Sequence, residues 1–468
     1  MKLRTDQVDA IRLPGSKFVN GPTGSGKSAV GVHIMRNWWS QGHNIILVAP
    51  PKVLKLVWPG ELRKWGAHDL LMSAVDMKKL SPHDRALRMD DMASGGPQKL
   101  LFFTPDIMVN HASQILRLLK HSNTCVLYDE IGMFKQAGTS RVRAARRFPQ
   151  HAKDIVGMTA TAVADDYAAL YAQFLCIDGG ATFGGSQQNF LSTYFDPPPP
   201  YREHAPWTVK RDGPRMLAAA IRPKTCLLED RKGELPKLVY TPVTFELTPR
   251  TREAYEDMTA YGLLLDKNGD EIAMAANPGV QYSLMRQLTS GVIYKDEGYL
   301  EFSHERIDIT VGLVDCVLKH PSDRVIVTYE LRADRDRFIE LAKEAPGFPP
   351  ITTFDTPHWK DAWQARGGVL LMHPKSGGHG LQLEQMCHKV IWMALPWSRD
   401  AFDQLIGRVW RFGQTHEVQC YMVSAVNTVD DYVYTRLENK AEYEKLLRQH
   451  INSIREAADN VRREPLPA

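Results

Sequence analysis

The sequence predicts an α/β protein built from two doubly wound parallel sheets. Three observations carry this reading. A glycine-rich loop, Gly21-Pro22-Thr23-Gly24-Ser25-Gly26-Lys27-Ser28, sits between a short run at 17–20 that can be a strand and a helical period (Val30, Ile34, Trp38) over 28–39. Apolar runs at 44–50, 99–105, 124–128 and 154–158 then alternate with helical stretches, the pattern of a sheet covered on both faces. A second series of such runs, at 324–329, 368–372, 389–393 and 417–421, follows a start near Ile307 and has no phosphate loop of its own.

The loop matches G-x-x-x-x-G-K-[ST]. Its glycines allow a tight turn and close approach to a polyphosphate, and successive N–H groups with the following helix N-terminus face phosphate oxygens. Lys27 supplies a point charge for the β- and γ-phosphates, and the Ser28 hydroxyl suits a Mg²⁺ ion. Gly21, Thr23, Gly24, Ser25, Gly26, Lys27 and Ser28 therefore form the expected nucleotide cradle. Gln7, on a short helical segment ahead of the loop, carries an amide with both a donor and an acceptor, enough to read an adenine edge; the same residue also fits a solvated helix.

Asp129 and Glu130 close the apolar run at 124–128. An acidic pair at the carboxyl end of a strand is where a nucleotide-bound Mg²⁺ needs a ligand and a water needs a base. Asp129 is read as the metal holder and Glu130 as the residue that polarises the attacking water. Residues 135–153 are basic (Lys135, Arg141, Arg143, Arg146, Arg147, Lys153), and Arg143 with Arg146 or Arg147 is expected to share a helix face. That face suits either solvent or a phosphate backbone. In the second series, Gln404, Arg408 and Arg411 are spaced to lie on one helix face, the arrangement two phosphate-seeking arginines require.

The 468 residues leave room for two or three domains. Hydrophobic residues make up 43% and charged residues 24%, which places the chain among ordinary globular proteins. A net charge of +4 permits nucleic-acid binding without arguing for it. Six scattered cysteines, none in a C-x-x-C pair, argue against zinc and disulfide frameworks. No apolar stretch reaches membrane-spanning length and no signal-peptide pattern stands out, so a cytoplasmic protein without a membrane partner is expected. The expected organisation is a nucleotide-binding lobe over 1–178, a mostly helical insertion and linker over 179–300 containing the stiff 196–200 proline run, a second lobe over 301–435, and a charged helix or tail over 436–468.

In order, these segments resemble the superfamily 2 helicase-type ATPases, and within them the Swi/Snf-like branch in its compact bacterial or phage form. Gln7 resembles the glutamine motif and 21–28 motif I. The stretch 49–54, with Trp58 and 61–65, resembles motif Ia. Asp129-Glu130 with Lys135 resembles motif II, Thr159-Ala160-Thr161 motif III, 376–383 motif V and 404–414 motif VI. Gly132 stands where the branch often has histidine, Ala162 where proline is usual and Gln382 where asparagine is common. The resemblance implies two RecA-like lobes that clamp ATP and Mg²⁺ and grip nucleic acid without reading its sequence. It implies nucleotide contacts from Gln7 and Gln404, and catalytic roles for Lys27, Asp129, Glu130, Arg408 and Arg411. Backbone contacts are implied for Pro50, Lys52, Thr104, Pro105, Thr159, Thr328, Ser376, Gly377 and His379, with Arg146 and Arg147 added from the basic stretch. The function expected is an ATP-driven motor on DNA, duplex before single-stranded, acting as a monomer with a recruiting protein yet to be identified, in the host cytoplasm or nucleoid if phage-encoded. A strand-separating or fork-remodelling helicase and a nucleotide-gated binding protein with little turnover are the alternatives.

Overall fold

The computed structural model describes residues 2–163, 166–199, 206–230, 232–266, 268–377 and 383–435. The chain divides into two compact units, with the division between Arg231 and Lys232.

The first unit is organised by β1 (Lys17–Asn20), β2 (Asn44–Val48), β3 (Ala74–Asp76), β4 (Leu100–Phe103), β5 (Thr124–Asp129), β6 (Ile155–Thr159) and, after a two-residue pair β7 (Phe195–Asp196) and β8 (Thr208–Val209), β9 (Thr225–Leu227). The sheet order is β3-β4-β2-β5-β6-β1-β9. Every neighbouring pair is parallel. Side chains alternate across a strand, so Ile45 and Leu47 enter one core while Ile46 and Val48 enter the other. Both faces are covered, which is why these strands read as continuous apolar runs. The order β5-β6-β1 sets the carboxyl ends of three strands side by side, and the phosphate loop, Asp129-Glu130 and Thr159-Thr161 leave from those ends. Helices α1 (Thr5–Arg12) and α2 (Lys27–Ser40) flank the loop, and α3 (Pro51–Leu56) and α4 (Trp58–Lys64) follow β2.

The second unit holds β10 (Leu238–Phe245), two antiparallel hairpins β11 (Leu263–Leu265) with β12 (Glu271–Met274) and β13 (Val292–Tyr294) with β14 (Tyr299–Glu301), then β15 (Arg324–Thr328), β16 (Ile351–Thr353), β17 (Gly368–Met372), β18 (Lys389–Trp392) and β19 (Val418–Ala425). Its sheet runs β10-β19-β18-β15-β17-β16, again parallel throughout. Val325 and Val327 face one core and Ile326 the other. The buried Arg306 anchors this unit: it donates to the carbonyls of Thr289 at 3.0 Å and Met393 at 2.7 Å and pairs with the Asp430 carboxylate.

The fold is therefore the expected pair of parallel α/β lobes. The expected limits at 178 and 300 differ from the observed division. Residues 179–300 are shared between the units, because β9 completes the first sheet and β10 begins the second. The segment carries helices Gln187–Tyr194, Gly213–Ile221, Pro249–Tyr261 and Pro278–Thr289 together with short strands. The expected tail, 436–468, lies outside the described residues. Among the described residues no helix is long and apolar enough to cross a membrane.

Candidate active site

The phosphate loop turns on two residues in the left-handed region, Gly24 at φ 83° and Gly26 at φ 84°. A side chain at Gly26 would also be blocked, since its Cβ would stand 2.3 Å from Gln7 Nε2. At Gly21 a Cβ would stand 2.5 Å from Ser25 Oγ and 2.8 Å from Leu228 Cβ. The loop is closed by Ser25 N–H donating to the Pro22 carbonyl at 3.0 Å, and α2 starts at Lys27. The Lys27 ammonium donates to the carbonyls of Gly21 at 2.5 Å and Pro22 at 3.0 Å, which keeps it over the loop. The Ser25 hydroxyl is buried with no hydrogen-bond partner. A cradle without room for added side chains, an orphaned hydroxyl and a cation at a helix start together fit a polyphosphate. Thr23 and Ser28 are half-buried in the same loop.

Gln7 is buried, and its amide serves the loop. Its Nε2 donates to the Ser25 carbonyl at 3.2 Å and its Oε1 accepts from Arg4 N–H at 3.0 Å. The expected role at an adenine edge would draw on the remaining donor and acceptor of that amide.

Asp129 ends β5, half-buried, and its Oδ2 accepts the indole N–H of Trp58 at 2.8 Å. Trp58 is fully buried at the start of α4, so the bond arrives from a fixed ring. Glu130 follows at φ 75°, ψ 61°, a left-handed conformation unusual for a residue with a side chain. Its carboxylate accepts the Thr159 hydroxyl in a short contact, and its N–H donates to the Met158 carbonyl at 2.9 Å. Thr161 N–H in turn donates to Thr159 Oγ1 at 3.1 Å. Gly132 makes this possible: a Cβ there would stand 3.0 Å from Glu130 Oε1 and 3.2 Å from Thr159 Oγ1. Ser28 and Asp129 supply the oxygens a Mg²⁺ ion prefers.

In the second unit, Gln404 and Arg408 are one turn apart on the helix Arg399–Val409. Arg411 does not share their face as the spacing suggested. The helix stops at Val409, and Trp410 at φ −100°, ψ 85° redirects the chain. Two side chains fix this stop. The Trp410 indole donates to the Pro236 carbonyl at 2.7 Å, and the buried Gln414 amide donates to the carbonyls of Cys387 at 3.0 Å and Val409 at 3.2 Å. Arg411 Nε lies 3.9 Å from Glu384 Oε2.

The candidates for nucleic-acid contact separate by exposure. Lys52, Arg146 and Arg147 are exposed. Pro50, Thr104, Pro105, Thr159 and Thr328 are buried. The Thr159 side chain is fully buried, with its hydroxyl against Glu130 and the Thr161 backbone. Thr104 caps the helix Pro105–Asn110 by accepting from Ile107 N–H at 3.4 Å. The helix expected under the basic stretch ends at Ala145, so Arg146 is its cap and Arg147 lies beyond it. Ser376 and Gly377 fall in the helix Pro374–Gly377; the Ser376 side chain and the whole of His379 lie outside the described residues. Beside Thr328, burial pushes the Glu330 carboxyl up to about 7 against the pull of the Arg286 guanidinium 3.8 Å away. Two residues without a place in the sequence reading, Arg4 and Asp6, also belong to the site. Arg4 Nη2 donates to the Ser25 carbonyl at 2.8 Å, and Asp6 holds Arg4. Their only sequence signal is an opposite-charge pair beside Gln7.

Residues 5–170 match the DEAD/DEAH box helicase family. The chain is 20% identical to "Putative protein p41" of Acyrthosiphon pisum secondary endosymbiont phage 1, over 91% of this chain and 92% of that one. It is 25% identical to the mouse (Mus musculus) "DNA repair and recombination protein RAD54B" over 30% of this chain and 17% of the relative. Among solved structures, the Sulfolobus solfataricus SWI2/SNF2 ATPase core in complex with dsDNA aligns over 95% of this chain and 93% of that one, at 16% identity and a TM-score of 0.40. Over residues 5–170 the chain is thus similar to the DEAD/DEAH box helicases.

Proposed function

We propose that the chain is an ATP-driven motor that moves along duplex DNA. The observation that carries the hydrolytic part is the pair Asp129-Glu130 at the end of β5, with Glu130 turned into a left-handed conformation and held by Thr159, one strand away from the phosphate loop. In this reading the loop N–H groups and Lys27 hold the phosphates. Ser28 and Asp129 would hold Mg²⁺, which would supply charge neutralisation at the phosphate oxygens when bound. Trp58 fixes the direction of the Asp129 carboxylate. Glu130 orients a water and takes up its proton as the water oxygen bonds to the γ-phosphorus and the bond to the bridging oxygen breaks, with ADP as the leaving group. Arg408 and Arg411 are proposed to steady the charge that develops on the transferred group, with Gln404 beside the nucleotide.

The choice of DNA is supported by the name of the mouse relative, a DNA repair and recombination protein that matches over 30% of this chain. Exposed Lys52, Arg146 and Arg147 supply phosphate-seeking charge that reads no sequence.

Three tests follow from these assignments. Glu130→Gln is expected to bind ATP and to abolish turnover, while Arg408→Ala binds ATP and loses activity on the order of a thousandfold; near-normal hydrolysis in either variant removes that residue from the mechanism. Trp58→Phe keeps the packed ring and removes one bond to a charged acceptor, so kcat should fall roughly ten- to a hundredfold, with a raised Mg²⁺ requirement. An unchanged Mg²⁺ titration would show that Asp129 does not need the indole. Arg146→Ala with Arg147→Ala should weaken binding of duplex DNA and lower the slope of log affinity against log salt by about 2. An unchanged slope returns both arginines to a solvated face.

A further inference from the structure

We propose that Arg4 and Asp6 are positioning residues that tie the phosphate loop to the stretch through which the chain leaves the first lobe, so that nucleotide held by the loop is felt at residues 228–230. The inference rests on the nucleotide-binding part of the proposed function. Asp6 is 7% exposed, and its carboxylate makes three bonds. It accepts Arg4 Nε at 3.0 Å, Arg4 Nη2 at 2.9 Å and the backbone N–H of Glu229 at 2.8 Å. The same Arg4 Nη2 donates to the Ser25 carbonyl at 2.8 Å, next to the donation from Gln7. Ser25 directly precedes Gly26, the cap of α2, so two side chains of the N-terminal segment grip the base of the phosphate cradle. A carboxylate that orders a guanidinium while accepting a backbone N–H is a rigid joint, because all of its bonds are charge-assisted.

The other end of the joint is equally close to the loop. β9 pairs with β1, and Leu228 N–H continues the ladder by donating to the Asn20 carbonyl at 2.8 Å. The Leu228 side chain fills the space a Cβ on Gly21 would need. Glu229 therefore follows a strand extension that borders the first residue of the cradle, while its N–H is bonded to the acid that holds Arg4 to Ser25. Lys232, three residues on, begins the second unit. Movement of the Ser25 carbonyl when phosphate binds must be taken up by Arg4, passed to Asp6 and delivered to the Glu229 amide. A merely structural clamp would stiffen this segment equally with and without nucleotide.

The test is hydrogen–deuterium exchange on the full chain, with ATPγS and Mg²⁺ as the probe, comparing wild type, Arg4→Met, Arg4→Lys and Asp6→Ala. Nucleotide affinity is measured separately by calorimetry, with Lys27→Ala as the variant that loses binding. In the wild type, ATPγS should slow exchange at the amides of Leu228 and Glu229 by about threefold or more, since opening of the joint then also costs phosphate contacts. In Asp6→Ala and Arg4→Met the slowing should vanish although ATPγS still binds, and KM for ATP should rise more than kcat falls. Arg4→Lys, which keeps a cationic donor group without the guanidinium fork, should recover part of the slowing. Should Asp6→Ala fail to fold by circular dichroism, Arg4→Met decides. A wild type that binds ATPγS without slowing at 228–229, or variants that keep the slowing, overturns the coupling and leaves the proposed function standing. A wild type that does not bind ATPγS overturns both.

Discussion

The hydrogen bond from Thr159 to Glu130 holds a strained residue in place, and much of the first lobe can be understood as what makes that bond available. A residue with a side chain at φ 75° costs on the order of 1–3 kcal/mol, and it persists only where its surroundings over-determine it. Here the parallel register that pairs Asp129 with Met158 brings the start of the β6 exit beside the acidic pair. The Glu130 N–H is satisfied by the Met158 carbonyl, and Gly132 leaves the gap through which the two side chains meet. An ordinary side chain at 132 would press on both partners. Glycine at this position is thus matched by a direct carboxylate–hydroxyl contact.

The same logic places the phosphate loop. It leaves β1 between two parallel neighbours, β6 and β9, so its first residue is bordered on both sides before any ligand is considered. Gly21 N–H donates to the Thr159 carbonyl at 3.2 Å, which joins the loop to the strand that also serves Glu130. One strand end therefore carries a bond to the cradle and a bond to Glu130. Asp129 is fixed independently through Trp58, a ring buried in the second core of the lobe. Preorganisation of this kind matters for phosphoryl transfer, where the protein contributes positioning and charge more than covalent chemistry.

The phosphate loop, the acidic pair and the alternation of buried strands were legible in the sequence because each is contiguous and each has a period or spacing set by backbone geometry. Short edge strands were not. β3, β9 and β16 have three residues each, too few for a pattern to stand above composition. Missing β9 and the β10 partner of β19 is what made 179–300 look like a segment of its own. The reading of Arg411 failed for a different reason: spacing by sevens assumes that the helix continues, and Trp410 and Gln414 stop it through partners at Pro236 and Cys387 that no local pattern reveals. Long-range contacts were invisible for the same cause. The bond between Trp58 and Asp129, and that between Asp6 and Glu229, join parts of the chain far apart in sequence. The motif resemblance had singled out Trp58 and Asp129 without joining them.

The central claim is that this site turns over ATP when the protein is on duplex DNA. The direct measurement is steady-state hydrolysis by the full chain in four parallel reactions: no nucleic acid, duplex DNA, single-stranded DNA and RNA. Strong stimulation by duplex, absent in Glu130→Gln, is the result this account predicts. Stimulation by single strands alone would point to a strand-separating helicase and contradict duplex tracking, and equal rates in all four reactions would contradict a nucleic-acid motor of any kind.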